Sequence, residues 1–494
     1  MEISTSDDAK EEKQVVMDEE KQVVMDEEKP PATTWDAEIE KRLRWKCDRH
    51  VLPCITLLFF LSFLDRTNIG NAKIQGMVEE LNMTGHDYNI ALFVFFPAYI
   101  LFEVPSNIII KRIAPSTWLS IIMVCWGIAT VCQGLVKNVE GLIACRFFLG
   151  LFEAGVFPGC VYLISMYYTR FELQWRLSLF FSASILAGAV SGFLAYAIAN
   201  MGGVGGYEAW RWIFIIEGLA TVVVGAASKS FTVDWPETAK FLSDEERKIL
   251  VARLSQDNGE ARMDHLDKRA AKRVFTDWKI YCAILMYLGI VNTGYSGSFF
   301  IPSILQELGL AAQEAQARSV PLYIVAAILC MMTAYLTDRL RHRYAFCMVG
   351  VTVASVGYII LLCQQRVSTG VQYFALFLIV SGGYMTQPVT LAWLSNNVSG
   401  HYKRSIASAM QVGFGNCGGI VASNIFLASE EPLYHTGYGT SLALVWVCGI
   451  ACTAMFFGVL HENKKRDRGD RDWRLDQSDV GNMGDDHPAW RFTT

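Results

Sequence analysis

The sequence predicts an all-α membrane protein with twelve transmembrane helices in two six-helix bundles. Of its 494 residues, 52% are hydrophobic and only 18% are charged, whereas a soluble chain usually carries about 25% charged residues. A membrane-spanning helix needs ~20 mainly apolar residues, and twelve such segments follow one another along the chain. A charged stretch over residues 232–278 separates the first six segments from the last six, which predicts two halves joined by a linker.

The chain begins with an acidic segment, residues 1–46, that holds 14 acidic and 8 basic residues. Its net charge of −6 exceeds the −5 of the whole chain, so the remaining residues sum to +1 and indicate no nucleic-acid partner. An eight-residue repeat occupies 11–18 and 19–26. This composition is typical of a disordered tail. The segment lacks the basic start and apolar core of a signal peptide, so the first apolar segment is expected to be a retained span.

The apolar segments justify the two bundles in chain order. The first bundle, residues 47–231, contains six segments, near 51–69, 88–110, 117–136, 141–166, 175–199 and 210–231. The second bundle, residues 279–460, contains six more, near 280–300, 318–336, 345–363, 371–394, 405–428 and 439–460. In the linker, Ser243 and Glu246 form a capping-box pattern that predicts a short helix. Residues 461–494 are expected to be a second tail.

The positions of the basic residues predict the orientation of the chain. Lys and Arg in short loops stay on the cytoplasmic side, and here they concentrate in the even-numbered connections between spans. Both termini and the linker are therefore expected to be cytoplasmic, with the protein in the plasma membrane. Asn82-Met83-Thr84 then lies in an outward loop, which predicts glycosylation of Asn82.

Glycine spacing supports an internal duplication. Gly188 and Gly192 in span five correspond to Gly415 and Gly419 in span eleven, and both pairs have the spacing that lets helices approach closely. Residues 413–418 also match the dinucleotide fingerprint G-x-G-x-x-G. Because this match lies inside an apolar run, close helix packing is the preferred interpretation.

The cysteine and histidine patterns indicate neither a metal site nor a cofactor. The 13 cysteines lie mostly in apolar segments, and the eight histidines are scattered. No paired C-x-x-C or H-x-x-x-H spacing occurs. No cluster of catalytic groups accompanies them, so the sequence predicts that the protein is not an enzyme. A proton gradient is the expected driving force, because of the carboxyl groups inside the spans that are described next.

A few ionisable residues lie inside the spans, where each is costly and suggests a function. An arginine fork can hold a carboxylate, so Arg66 and Arg146 are candidate binders of an organic anion. Asp65, Glu153 and Glu217 are candidate proton-coupling residues, because a carboxyl group can take up a proton on one side of the membrane and release it on the other. The alternative is that Asp65–Arg66 and Arg146–Glu153 are structural ion pairs.

Charged residues at the expected cytoplasmic ends of the spans are candidate gating residues, because pairing across the two halves could stabilise one conformation. They are Glu103, Lys111, Arg112, Asp338, Arg339 and Arg343. The alternative is that they are solvated loop charges that set topology.

The polar groups inside the second half are mostly neutral. They include Tyr295 and Gln387, and those predicted to bind substrate are Asn292, Trp393, Asn396, Gln411 and Asn416. Such groups can instead hydrogen-bond neighbouring helices.

Several motifs carry a family resemblance over residues 45–460. They are Phe63–Ala72, Glu103–Asn107, Arg146–Gly155, Gly206–Gly218 and Asn396–Arg404. With these motifs the sequence resembles the major facilitator superfamily, and within it the fungal allantoate and nicotinate permease branch of the anion:cation symporter family. One departure is the loop after span two, 111–116, which lacks the glycine- and arginine-rich pattern of the wider superfamily.

The resemblance implies a transporter that works by alternating access, with proton-coupled symport of a small organic anion such as nicotinate, pantothenate or allantoate. It assigns anion binding and proton coupling to Asp65, Arg66, Arg146 and Glu153, and it adds Tyr99 to the cavity lining. The expected partners are the substrate, protons and the lipid bilayer, with the chain as a monomer. Export of an acidic secondary metabolite is the alternative function, and a non-transporting nutrient sensor or a membrane enzyme is less favoured.

Overall fold

The computed structural model describes residues 37–257, 268–399, 401–476 and 483–494. The predicted acidic tail with its repeat lies outside the described residues up to residue 36. The described residues form helices, turns and short connections, with no β-strand among them. The chain divides after Cys47 into the units Met1–Cys47 and Asp48–Thr494. Every contact discussed below lies within the second unit.

The first bundle contains eight helices of nine or more residues, which make up six spans. They are α1 (Ala37–Ala72), α2 (Gly85–Phe93), α3 (Phe95–Arg112), α4 (Pro115–Leu135), α5 (Val139–Glu153), α6 (Val156–Tyr167), α7 (Arg170–Ile198) and α8 (Ala209–Phe231). A π-helical turn, Lys73–Met77, continues α1. The sequence explains where two of these helices begin. Pro115 suits the first turn of α4, and the Asn138 side chain caps α5 by accepting a hydrogen bond from Gly141 N at 3.0 Å.

The described residues of the linker form two helices, α9 (Asp244–Asp257) and α10 (Lys268–Phe275). The predicted capping box is confirmed. Ser243 N donates to Glu246 Oε2 at 2.9 Å, and Glu246 N donates to Ser243 Oγ at 3.2 Å. These two bonds satisfy amide groups that the first turn of α9 would otherwise leave unpaired.

The second bundle repeats the arrangement with seven helices. They are α11 (Trp278–Glu307), α12 (Ala312–Leu340), α13 (Arg343–Leu362), α14 (Thr369–Asn397), α15 (His401–Gly415), α16 (Cys417–Ile425) and α17 (His435–Asp467). In the described residues, eleven helical stretches are long and apolar enough to cross a membrane. The twelfth predicted span consists of α15 and α16, which a break at Asn416 separates.

Three spans of the structure are built from two helices each. Span two breaks at Val94, span four at Ala154 and Gly155, and span eleven at Asn416. Hydropathy does not reveal these breaks, because the residues around them are apolar. Interrupted helices are a common feature of transporter binding sites. The break in span four directly follows Glu153.

Small residues set the closest helix contacts within the first bundle. A Cβ atom added to Gly218 on α8 would lie 2.7 Å from Val131 N on α4. A side chain there would therefore collide with backbone that cannot move independently of its helix. The pair α4 and α8 consequently packs backbone against backbone.

The predicted glycine pairs lie at close helix contacts, of which those of Gly188, Gly192 and Gly419 are between the two bundles and that of Gly415, against Tyr287, is within the second. Gly188 faces the Tyr323 ring of α12, and Gly419 faces the Phe96 ring of α3. The prediction of close approach is confirmed. The fingerprint match is also helical and has no preceding strand, and a Cβ at Gly418 would lie 2.5 Å from Leu288 O on α11.

The connections between consecutive spans lie on two opposite faces of the molecule. The basic face holds the connections α3–α4, α6–α7, α8–α11, α12–α13 and α14–α15, where the predicted cytoplasmic cations lie. The opposite face holds the other ends of the spans.

Candidate functional site

A small cavity lies where the two bundles meet. Its lining consists of Phe59, Phe63, Arg66, Tyr99, Phe157, Phe181, Ser184, Tyr287, Val291, Gly294, Tyr295, Gln387 and Asn416. Both bundles contribute, and seven of the side chains are aromatic. The lining includes one charged group, Arg66, together with a few neutral polar groups. This is the composition of a small-molecule site, in which few polar groups orient a ligand among apolar walls.

Arg66 is the centre of the polar network. It lies on α1 with 6% of its surface exposed. Its Nη2 donates to Glu153 Oε1 at 2.5 Å, and its Nη1 donates to Tyr295 OH at 2.5 Å. Tyr295 in turn donates to Asn416 Oδ1 at 3.1 Å. The chain of contacts therefore runs from span four through Arg66 to the second bundle.

Aromatic rings surround the Arg66 guanidinium. Its Cζ lies 4.9 Å from the ring centre of Phe95, 5.3 Å from that of Tyr99 and 5.6 Å from that of Tyr295. Ring faces attract a cation when water is excluded. They hold the guanidinium in place beside Glu153 and Tyr295.

Glu153 ends α5 at the break of span four, with 1% of its surface exposed. Ser62 Oγ donates to the Oε1 atom that also binds Arg66. Oε2 has no hydrogen-bond partner among the described residues. The carboxylate is thus held through one of its two oxygens.

Asp65 points away from Arg66, because consecutive helical residues do not face each other. It is fully buried, and its Oδ2 accepts hydrogen bonds from Trp126 Nε1 at 2.8 Å and Thr221 Oγ1 at 2.9 Å. The alternative of a structural Asp65–Arg66 ion pair is therefore wrong, and Arg66 pairs instead with Glu153.

Arg146 does not line the cavity in this conformation. It is 2% exposed, its Cζ lies 5.8 Å from the Phe214 ring centre, and its Nε and Nη2 have no hydrogen-bond partner in the described part of the chain. No Arg146–Glu153 ion pair within 4 Å occurs among the described residues, so that alternative is also wrong. The two residues lie two helical turns apart, which corresponds to ~10 Å along the axis. Arg146 is thus a buried cation beside the site.

Glu217 belongs to a separate polar chain inside the first bundle. Its Oε2 accepts from Asn68 Nδ2 at 2.7 Å, and Asn68 Oδ1 accepts from Ser191 Oγ at 3.2 Å. Glu217 is 2% exposed and does not line the cavity. The chain links α1, α7 and α8.

The predicted polar residues of the second half separate into two groups. Asn416 lines the cavity, as does Tyr99 of the first half. Asn292 Nδ2 donates to Ser441 Oγ at 3.0 Å, and Gln411 Nε2 donates to the backbone oxygens of Ala283 and Thr390. These two residues hold helices together, as the alternative interpretation proposed.

Trp393 and Asn396 lie near the basic end of α14, outside the cavity lining. Trp393 Nε1 donates to Thr493 O at 3.0 Å. Asn396 lies beside Arg343, with its side-chain oxygen accepting from Nη1 at 3.0 Å in the favoured amide orientation. The structure therefore places both residues away from the cavity, because α14 extends beyond it at the basic face.

The predicted gating residues have different environments. Glu103 is 2% exposed, has no hydrogen-bond partner for either oxygen among the described residues, and lies beside Gly413 of the second bundle. Arg112 and Arg339 are exposed. The side chains of Lys111 and Asp338 lie outside the described residues.

Polar contacts between the bundles close the opposite face. Lys73 Nζ lies 3.4 Å from Glu431 Oε1. Gln75 Nε2 donates to Gln316 Oε1 at 2.9 Å, and Gln316 Nε2 donates to Asn71 O at 3.4 Å. The sequence did not predict these contacts, because none of the residues forms a motif and their partners are more than 200 positions away.

Other residues of the site were also missed. Tyr287, Phe59, Phe157 and Phe181 line the cavity, but aromatic residues within apolar segments carry no signal that separates a cavity wall from lipid contact. In the described part of the chain, no group of His, Cys, Asp and Glu side chains could hold a metal ion.

Similarity to solved structures supports this fold. A proton:xylose symporter, XylE, bound to 6-bromo-6-deoxy-D-glucose aligns with a TM-score of 0.65 at 15% identity, covering 83% of this chain and 96% of that one. A bacterial homologue of the human lysosomal transporter Spinster, in an inward-facing and occupied conformation, aligns with a TM-score of 0.63 at 17% identity and the same coverage. At these identities the likeness concerns the fold alone.

Sequence relatives are fungal transporters. An uncharacterised transporter of Schizosaccharomyces pombe is 36% identical over 91% of this chain and 90% of its own length. The MFS-type transporter cnsO of Penicillium expansum is 34% identical over 92% of this chain and 90% of its own length. The family model described as Major Facilitator Superfamily matches residues 55–423. By its fold, its relatives and this match, the chain belongs to the major facilitator superfamily of membrane transporters.

Proposed function

We propose that this transporter carries a small organic anion together with protons, by alternating access to the cavity between its bundles. The observation that carries the proposal is the ion pair between Arg66, which lines the cavity, and Glu153. A buried arginine needs an anionic partner, and a substrate carboxylate could replace Glu153 in that role.

The geometry supports a specific form of coupling. While Glu153 is ionised, it occupies the Arg66 guanidinium. When Glu153 takes up a proton, Arg66 lacks a counter-charge and binds an anion more tightly. Proton and anion then occupy the site together, and the net charge of the network stays constant. Binding one ligand favours the other, which is the linkage that symport requires.

Glu153 has the leading proton-coupling role in this proposal, because it contacts a cation in the cavity lining. Asp65 and Glu217 remain proposed proton-coupling residues, and both are buried with neutral hydrogen-bond donors. Arg66 is the proposed primary anion-binding residue. Arg146 is proposed to join it in a conformation that exposes its unbonded nitrogens.

The lining also supports a class of substrate. A ring that stacks on aromatic side chains gains ~0.5–1.5 kcal/mol beyond the burial of its area. With seven aromatic side chains, the cavity favours a flat carboxylate such as nicotinate over the non-aromatic allantoate. Pantothenate stays in the tested panel as a flexible acid.

An uptake panel of labelled carboxylates tests the proposal in cells with and without a proton gradient. We expect concentrative uptake of a planar acid that disappears when the gradient is removed. Arg66→Ala should abolish it. Arg318→Ala is the matched control, because Arg318 pairs with Glu314 at a half-exposed position outside the cavity. Normal uptake by Arg66→Ala would contradict the assignment, and efflux from loaded cells without uptake would favour the exporter.

We also propose that the basic face is cytoplasmic and that the protein lies in the plasma membrane. The contacts at the opposite face then close the outer side, and the structure would correspond to a state with its outer entrance shut. Location of a fluorescent fusion and protease access to the linker would test both statements.

A further inference from the structure

The C-terminal segment, residues 483–494, folds back onto the basic face of the second bundle. It is called the tail segment below. Its contacts reach the basic ends of five helices, α11, α13, α14, α15 and α17. The residues that hold it are Lys279, Arg343, Trp393, Asn397, Lys403, Asn463 and Arg466. None of these residues lines the central cavity.

Asp485 of the tail segment completes a buried cluster of charges. It is 0% exposed, and its Oδ2 lies 2.5 Å from Lys279 Nζ while its Oδ1 lies 2.9 Å from Lys403 Nζ. Asp277 Oδ2 lies 2.7 Å from Lys403 Nζ and 3.1 Å from Lys279 Nζ. Two lysines and two aspartates balance in charge, whereas the cluster without Asp485 would leave an excess buried positive charge, which is costly.

Two asparagine side chains recognise the backbone of the tail segment. Asn463 Nδ2 donates to Phe492 O at 2.9 Å, and Phe492 N donates to Asn463 Oδ1 at 3.0 Å. Asn397 makes the same pair of bonds with Thr493. Asn397 Nδ2 donates to Thr493 O at 3.0 Å, and Thr493 N donates to Asn397 Oδ1 at 2.8 Å. Paired bonds to successive residues hold an extended peptide in one register, as in known peptide-binding sites.

The Phe492 side chain adds an apolar contact between two cations. Lys279 Nζ and Arg466 Cζ each lie 4.3 Å from its ring centre, and the residue is 6% exposed. Arg466 Nη1 also donates to Trp490 O at 2.9 Å. The second bundle thus contacts the Asp485 carboxylate, the backbone of Phe492 and Thr493, and the Phe492 ring. The tail segment therefore has the features of a bound peptide ligand.

We propose that the tail segment is an intramolecular peptide ligand that joins the basic ends of α11, α13, α14, α15 and α17 into one rigid unit, and that its docking is required for the full rate of transport. Alternating access moves one bundle against the other. A bundle whose helix ends separate cannot transmit that motion. Because the tail contacts lie outside the cavity, its loss should lower the maximal rate and leave substrate affinity unchanged.

Docking should not depend on pH in the range where transport is measured. Burial raises the pKa of the Asp485 carboxyl, but Lys279 and Lys403 outweigh it and hold this pKa well below its usual range. A carboxyl with a lowered pKa contributes stability above its ordinary pKa of about 3.9 and loses it as pH falls through the folded value. Between about pH 5 and 8 the group stays ionised and paired.

The test uses full-length variants in proteoliposomes. Asp485→Asn removes the charge, and Asn463→Ala removes both backbone bonds to Phe492 without leaving a buried charge unpaired. We expect each to lower the maximal rate per molecule at least about fivefold, with KM changed by less than about twofold. Asp485→Asn with Lys403→Gln restores charge balance and should recover part of the loss. Arg491→Ala is the control, because that tail residue forms an exposed pair with Asp467.

Hydrogen exchange of the same variants provides a readout that needs no substrate. Faster exchange at the basic ends of α14 and α15 is expected in Asp485→Asn and Asn463→Ala, and unchanged exchange in Arg491→Ala. A maximal rate per molecule equal to that of the unmodified protein would overturn the proposal, even if less protein accumulated. A raised KM at an unchanged maximal rate would also overturn it. If no tested carboxylate is transported, the proposed substrate class fails while the exchange result still decides whether the tail segment joins the helices.

Discussion

Glu153→Gln removes the negative charge that pairs with Arg66 while keeping the shape of the side chain. In the structure, Arg66 Nη2 donates to Glu153 Oε1 at 2.5 Å, and both side chains are buried. A hydrogen bond to a charged group contributes about 1.5–3 kcal/mol. A substrate anion must displace this bond when Glu153 is ionised and need not do so when Glu153 is protonated.

That free energy sets the expected size of the effect. At about 1.36 kcal/mol per tenfold, displacement of Glu153 corresponds to roughly tenfold to a hundredfold in anion affinity. No carboxylate competes for Arg66 in Glu153→Gln, so this variant should bind anion more tightly than the unmodified protein by this factor. Concentrative uptake should fall strongly, because the proton site is gone, while counterflow exchange should persist.

The assay compares anion binding by the purified variant and the unmodified protein, and it measures uptake and counterflow of both in proteoliposomes. Glu314→Gln is the control, because Glu314 pairs with Arg318 at a half-exposed position outside the cavity. An anion affinity of Glu153→Gln equal to that of the unmodified protein would refute the coupling model. Equal losses of uptake and counterflow would indicate that Glu153 has a packing role.

Three further outcomes follow from the structure. Arg66→Lys keeps the positive charge but should bind anion at least about tenfold more weakly in the same binding assay, because an ammonium group cannot make the bidentate contact of a guanidinium. Equal affinity would argue against a bidentate contact. Gly218→Val should destabilise the protein by about 1–3 kcal/mol or more, measured as a lower thermal midpoint in detergent, because its Cβ would lie 2.7 Å from Val131 N. Asn82 is exposed on the opposite face, so we expect a glycan that an endoglycosidase and Asn82→Gln both remove, and a chain of unmodified mass would count against the proposed orientation.

Much of the fold was predictable because insertion into a membrane requires long apolar segments, which are easily recognised in the sequence. Span length and apolar content follow from the thickness of the bilayer, so the two bundles are visible in composition alone. The capping box at Ser243 was predictable for a different reason, since both partners lie within one helical turn. The contacts at Gly188 and Gly419 were visible as a spacing, although not with their partners.

The site was predictable only as a set of residue types. Charges inside apolar segments identified Arg66 and Glu153 as functional candidates. Their pairing was not predictable, because the direction of a side chain depends on helix rotation and on the break that follows Glu153. The same limit applies to Trp393 and Asn396, whose polar groups fit a ligand site by type but lie at the basic face.

The sequence by itself determined that the chain crosses a membrane as two six-span bundles. It also determined that a few charged residues lie inside otherwise apolar spans. It did so because bilayer thickness and the cost of burying charge act on each segment separately. Only the tertiary structure decided that Arg66 pairs with Glu153, that aromatic rings line the cavity, and that Asp485 completes a buried cluster with Lys279 and Lys403. Those contacts join residues far apart in the chain, and their geometry exists only once the helices have packed.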